Sequence, residues 1–237
     1  MKALVFISFM FFGLESIANE ALWVVTEDRP PYNYLNQKDE IKGSNVSFVK
    51  RVLNETQLTY EMSLFPWARS YQLALTRPNT LIFSILKTPE RADLFHWFCP
   101  ISPTKPILFM QLAQRQPLGF ETIEQAKHFV IGVSRGDWNE QFLLAQGFKD
   151  GVNLDVSADE GANLSKLLAG RVDALLVTEQ SLIMRLATLN LTPKTVKRVS
   201  NSEYQQSIPL CMALSKKSSA EVVTAISKAF SAVRKAR

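Results

Sequence analysis

Apolar residues recur along this chain in two rhythms: short dense runs, and longer stretches with apolar positions three and four apart. The runs predict buried strands and the stretches predict helices. Residues 22–26 (Leu-Trp-Val-Val-Thr), 60–64 and 81–86 (Leu-Ile-Phe-Ser-Ile-Leu) predict strands, the last apolar enough to be buried on both faces. Between them Val46, Val49 and Leu53 recur at helical spacing behind Ser44 or Asn45 as a cap, and residues 70–75 predict a short helix. Pro100, Pro103 and Pro106 then punctuate an extended segment that ends in the apolar residues 107–110. A second series follows. Thr122 has Gln125 three residues on, a capping-box spacing, and 129–133 predicts a strand. A helix from about Trp138, a helix over 163–168 ended by Gly170, a strand over 172–177 and a helix over 179–189 complete it. The tail predicts one more strand, 208–214. Ser218 or Ser219 then opens a helix with Val222, Val223, Ile226, Phe230 and Val233 on one side. Such alternation of strand and helix predicts an α/β protein.

The first eighteen residues stand apart. Lys2 precedes an apolar run over 3–14, and Ser16-Ile17-Ala18 places small residues where a signal peptidase reads, so cleavage after Ala18 and export to the periplasm are expected. The run is shorter than the ~20 apolar residues a spanning helix needs. No later run compares with it, so the mature chain is expected to be soluble. Its 219 residues suit one large domain or two small lobes. The formal charge of +5 steers anions or keeps the chain soluble. No Lys/Arg run is interleaved with aromatics, which argues against nucleic acid as a partner. Cys99 and Cys211 are the only cysteines, open to two readings: a disulfide worth ~4–5 kcal/mol in the chain-entropy model, or two buried thiols. His96 and His128 lack HxxH or HExxH partners, and no Gly-x-Ser-x-Gly or Walker motif occurs. No metal, no cofactor and no enzymatic activity are therefore expected.

Several phrases in order carry a family resemblance: Arg29-Pro30-Pro31-Tyr32, Pro66-Trp67-Ala68-Arg69, and residues 83–91 ending Thr88-Pro89-Glu90-Arg91. Ile131-Gly132-Val133-Ser134-Arg135-Gly136 and Gly170-Arg171-Val172-Asp173-Ala174 extend it over nearly the whole mature chain. The sequence resembles the bacterial extracellular solute-binding proteins of family 3, which include the polar amino-acid receptors. The resemblance implies a type-II periplasmic binding protein fold, with two lobes, each a sheet flanked by helices, joined by a two-segment hinge. Lobe one would comprise 19–106 and 207–237, lobe two 107–206, with crossings near 103–110 and 204–211. Closure of the lobes over a ligand is the implied mechanism.

Candidate ligand contacts follow from both sources. Thr88 suits an N-cap and Pro89 the first helical position, so a helix is expected directly after the strand at 81–86. Strand C-terminal ends line ligand crevices in open α/β sheets, and a guanidinium there can grip a carboxylate through two parallel hydrogen bonds. Arg91 is thus the expected anion anchor, the alternative being a surface arginine paired with Glu90 or Asp93. In amino-acid receptors the matching arginine holds the α-carboxylate. Ser84 matches a polar contact position or is a small residue in a packed strand. Trp67 can stack on a ligand and Arg69 meet a second anion, or the two are a core tryptophan under a solvated arginine. One of Tyr32 and Tyr34 is expected to face the cleft. From lobe two come Asp137, as contact or helix cap, and Trp138, with Thr178 and Glu179 after the strand at 172–177. Two departures weaken an amino-acid reading: Leu86 stands where receptors carry a hydroxyl, and Thr178 where they carry the aspartate that binds the α-ammonium.

These residues point to a monomeric periplasmic receptor that captures a small polar, carboxylate-bearing solute. It would present that solute to a membrane permease or sensor kinase. The alternative is a small-molecule lyase on the same fold, similar to the cyclohexadienyl dehydratases, with Glu179 facing Arg91 as general acid.

Overall fold

The apolar runs assemble into two five-stranded sheets. The computed structural model describes residues 21–103, 105–199 and 209–236. The expected signal segment and residues 204–208 of the second hinge crossing lie outside them. The chain runs from β1 (Leu22–Thr26) through a small hairpin, β2 (Tyr34–Leu35) and β3 (Ile41–Lys42), to α1 (Ser44–Asn54). Next come β4 (Tyr60–Leu64), α2 (Trp67–Thr76), β5 (Thr80–Leu86), a 3-10 turn (Pro89–Arg91) and β6 (Phe95–Ser102). The middle of the chain forms β7 (Ile107–Leu112), α3 (Ile123–Ala126), β8 (Ile131–Ser134), α4 (Trp138–Ala145), β9 (Leu154–Ser157) and α5 (Glu160–Leu168). It continues with β10 (Ala174–Thr178), α6 (Glu179–Thr188) and β11 (Val196–Arg198), and the chain ends with β12 (Leu210–Ser215) and α7 (Ala220–Lys235).

The spatial orders are β4-β1-β5-β12-β6 and β11-β7-β10-β8-β9. In the first sheet β1 is parallel to β4 and β5, and β12 returns antiparallel between β5 and β6. In the second, β10 is parallel to β8 and antiparallel to β7. Central strands are buried on both faces, which is why their sequences read as unbroken apolar runs. Strand β10 shows the period of two: Ala174 and Leu176 enter one core, Leu175 and Val177 the other. No helix among the described residues is long and apolar enough to cross a membrane.

Strand β5 breaks that period. Leu81 and Phe83 face the core under α1 and α7, and Ile82 faces the core under α2. Ser84 then takes φ +62° and is skipped in the pairing with β12, where Met212 opposes Phe83 and Cys211 opposes Ile85. This bulge shifts the phase, so Ile85 joins Ile82 and Leu86 joins Phe83. A serine in the left-handed region costs about 1–2 kcal/mol. Its hydroxyl donates to Asn33 Oδ1 and accepts from Asn45 Nδ2 (2.9 Å), which offsets the strain. Asn45, expected as a possible cap of α1, is therefore turned inward. The cap position falls instead to Gly43 at φ +134°, where a Cβ would lie 2.1 Å from the Tyr32 carbonyl oxygen.

Cys99 on β6 and Cys211 on β12 are bridged, with Cα atoms 4.6 Å apart. Two expectations change. The capping box at Thr122 is present, but its helix is the short α3. The helix expected after Thr88 is only a 3-10 turn of three residues, and Thr88 makes no side-chain cap bond.

Candidate functional site

Parallel pairing sends the C-terminal ends of β1, β4 and β5 to one edge of the first sheet, and those of β8, β9 and β10 to one edge of the second. The loops after these ends meet in a cleft, the place where open α/β sheets bind ligands. From the first sheet the cleft is lined by Glu27 and Arg29 after β1, Trp67 after β4, Ser84 and Leu86 on β5, and Arg91 beyond it. Ile107, Asp137, Trp138, Asn139 and Glu160 line it from the second. The lobes stand closed, leaving about 20 Å³ between these side chains, room for about one water.

Arg91 is 2% exposed. Its guanidinium carbon lies 5.2 Å from the Trp67 ring centre and 5.1 Å from that of Tyr71. Nη2 reaches the Gly136 carbonyl at 3.4 Å, and the buried Nε has no partner. Among the described residues it forms no ion pair. Burial pulls its pKa down, against the opposing pull of Tyr71, Asp137 and Glu27. The guanidinium is thus held by aromatic faces, with Asp137 and Glu27 acting on it from beyond ion-pair contact.

Closure is made by two further contacts. Trp67 Nε1 donates to the same Gly136 carbonyl at 2.7 Å. Arg185 on α6 grips Asp28 through the carboxylate at 2.9 Å and through its backbone carbonyl. The same guanidinium donates through Nε to Glu160 at 3.1 Å, while Ser181 donates to that carboxylate at 2.6 Å.

Carboxylates crowd the rest of the cleft. Glu27 and Arg29 keep 13% and 16% of their side-chain surface and stand 3.9 Å apart, a loose pair deep between the lobes. Burial, reinforced by Glu160 and Asp137 against Arg29 and Arg185, pushes Glu27 up to about 8. Burial also lifts Asp137 to about 7, though the Glu140 amide and Arg29 pull the other way. Folding makes Glu27 hold a proton that the unfolded chain releases above about 4.5, so stability is expected to fall as pH rises from about 4.5 to about 8. The slope is up to about 1.4 kcal/mol per pH unit for one proton. Melting temperatures across that range check this, and Glu27→Gln, neutral throughout, should flatten the decline. An unchanged slope in the variant would place the proton elsewhere.

The structure brings Arg91, Ser84, Trp67, Asp137 and Trp138 to the cleft and leaves the other candidates outside its lining. Arg69 is exposed, with its guanidinium 4.0 Å from the Phe65 ring centre. Tyr32 is buried in the core beside α1 and Tyr34 lies in the hairpin, because Asn33 between them turns in to Ser84. Thr88 and Thr178 are buried beside the cleft. Glu179 pairs with Arg198 at 2.7 Å on the surface, which removes the acid proposed for a lyase. Glu27, Arg29, Asn139 and Glu160 are cleft residues that the sequence reasoning did not single out. Glu27, Arg29 and Glu160 each follow a strand C-terminal end, the rule that found Arg91. No group of three His, Cys, Asp or Glu placed to hold a metal occurs among the described residues.

Residues 22–237 match the family described as bacterial extracellular solute-binding proteins, family 3. Among curated proteins, none matches the sequence. Solved structures share the fold. A histidine kinase sensor domain with similarity to periplasmic binding proteins aligns with TM-score 0.75 and 17% identity over 92% of this chain and 91% of that one. An ancestral arginine-binding protein bound to arginine gives 0.75 and 18% over 91% and 92%. An amino acid ABC transporter substrate-binding protein from Streptococcus pneumoniae, bound to L-arginine, gives 0.73 and 19% over 91% and 89%. These likenesses place the two sheets in the two-lobed periplasmic binding protein architecture.

Proposed function

The chain belongs to the bacterial extracellular solute-binding proteins of family 3, and on that premise we propose that it captures a small, carboxylate-bearing, amino-acid-like solute between its lobes. The observation that carries this reading is Arg91: a buried guanidinium on the cleft wall, packed between aromatic rings, with no ion pair among the described residues. A ligand carboxylate would supply the missing charge and partner for its donors. In this reading one lobe comprises 19–106 with 207–237 and the other 107–206, and the two rotate about the crossings between β6 and β7 and before β12. The site works in the periplasm, as a monomer that hands its solute to a membrane transporter or a sensor. Solved relatives in both settings, a kinase sensor domain and a transporter's binding protein, support that choice of partners, and the relatives bound to arginine support an amino-acid-like ligand.

Calorimetric titration with L-amino acids and small carboxylates tests the reading, together with mass spectrometry of solute released on denaturation. Saturable binding of at least one carboxylate is expected. A protein that binds none of them would not have the function proposed.

A further inference from the structure

Closing the cleft brings acids from both sheets together. Glu27 follows β1 of the first sheet, Asp137 and Glu160 follow β8 and β9 of the second, and all three line one cavity. Arg185 on α6 spans the gap, donating to Asp28 at 2.9 Å and to Glu160 at 3.1 Å. That bridge fixes the loop carrying Glu27 against the N-terminal end of α5. Around Glu27 stand Asp28 and Arg29 in its own loop, Arg91 beyond β5, Asp137 before α4, Glu160 at the start of α5 and Arg185 on α6. The acids outnumber the bases in this set, so closure leaves a carboxylate short of a countercharge.

The shortfall falls on Glu27. Glu160 is held by Arg185 and Ser181, Asp28 by Arg185, and Asp137 accepts the Glu140 amide at 2.8 Å. Glu27 has only Arg29, at 3.9 Å, and its carboxylate accepts no hydrogen bond among the described residues. Losing water there without gaining a donor disfavours the charged form, and the facing acids of the second sheet add to that penalty. Opening restores the water and takes Asp137 and Glu160 away, while Arg29, in the same loop, stays. We propose that Glu27 takes up a proton when the lobes close, making the cleft a pH-gated clamp that shuts in acid and opens in alkali. The inference rests on the lobe rotation of the reading above and is indifferent to which solute is bound. In the closed cleft Glu27 is pushed up to about 8, whereas a hydrated Glu27 returns toward the ordinary 4.5. The closed form binds more protons throughout that window. Its population relative to the open form therefore falls as pH rises, by about tenfold per pH unit for one proton.

Small-angle scattering reads the lobe separation on protein freed of solute by unfolding in urea and refolding with its disulfide intact. Wild type is expected to be compact at pH 5 and to show a larger radius of gyration at pH 9, with circular dichroism confirming the fold at both. Glu27→Gln, neutral at every pH, should stay compact at both. Equal dimensions of wild type at the two pH values would overturn the proposal, whether or not the variant folds. A variant that expands as wild type does would overturn it too, giving the proton to another acid of the cluster. Arg185→Ala, which cuts the bridge to Asp28, tests the rotation separately and should be expanded already at pH 5. Expansion in that variant with none in wild type would overturn the proton linkage and leave rotating lobes standing. Expansion in neither would remove both.

Discussion

Replacing Arg91 with alanine should weaken binding of the solute at least about a hundredfold without unfolding the protein. The expected loss comes from a charge-assisted, two-pronged contact made in a desolvated cleft, where removing one partner costs about 2–5 kcal/mol. The stability arm is what makes the result decisive. Most buried arginines hold an acid in place, and deleting them leaves an unpaired carboxylate. Arg91 has aromatic neighbours and a weak bond to the Gly136 carbonyl instead, so its removal takes out of the interior a charge that burial disfavours and breaks no ion pair among the described residues. The melting temperature is therefore expected to hold or rise. Arg91→Lys keeps the charge but loses the fork, and should fall between wild type and alanine. Alanine binding the solute as tightly as wild type would show that the anchor is elsewhere in the cleft.

Removing the Cys99–Cys211 bridge is expected to lower stability by about 3–5 kcal/mol, while affinity stays the same. The bridge closes a loop of 112 residues, so its chain-entropy contribution lies at the upper end of the usual range. Cys211 sits on β12 in the middle of the first sheet and Cys99 on the edge strand beside it. The bridge thus ties the returning segment to the sheet it completes. Urea unfolding of the oxidised protein, the reduced protein and a Cys99→Ala/Cys211→Ala variant measures this. Neither cysteine lines the cleft, so a variant with normal stability would show that the sheet alone sets the unfolding energy.

The fold was legible where burial is two-sided. Strands β1, β5 and β10 stand out because both of their faces are apolar, and the α7 stripe because only one of its faces is. Strand β6 reads as a Pro-punctuated segment, since it lies at the sheet edge, where Pro100 costs no ladder bond. The bulge at Ser84 gives no signal in composition, because its serine is held by Asn33 and Asn45 from distant segments. In the cleft, Arg91 was readable from its place after a strand. Glu27, Arg29 and Glu160 obey the same rule, yet isolated charges in a sequence usually mean solvated surface. What makes them cleft residues is the meeting of the two sheets. Arg69 and Glu179 fail in the opposite sense: each sits in a promising phrase, and the local turn sends its side chain to Phe65 or Arg198 instead.

The placing of β12 between β5 and β6 governs the order in which the protein can be finished. A ribosome that has made everything through β11 has supplied four of the five strands of the first sheet, with β5 and β6 still lacking the partner that joins them. The first lobe therefore cannot close its core until the last segment is synthesised. Any machinery that takes hold of the nascent chain before that moment meets an unfinished sheet rather than a folded domain, a form suited to threading through a narrow pore.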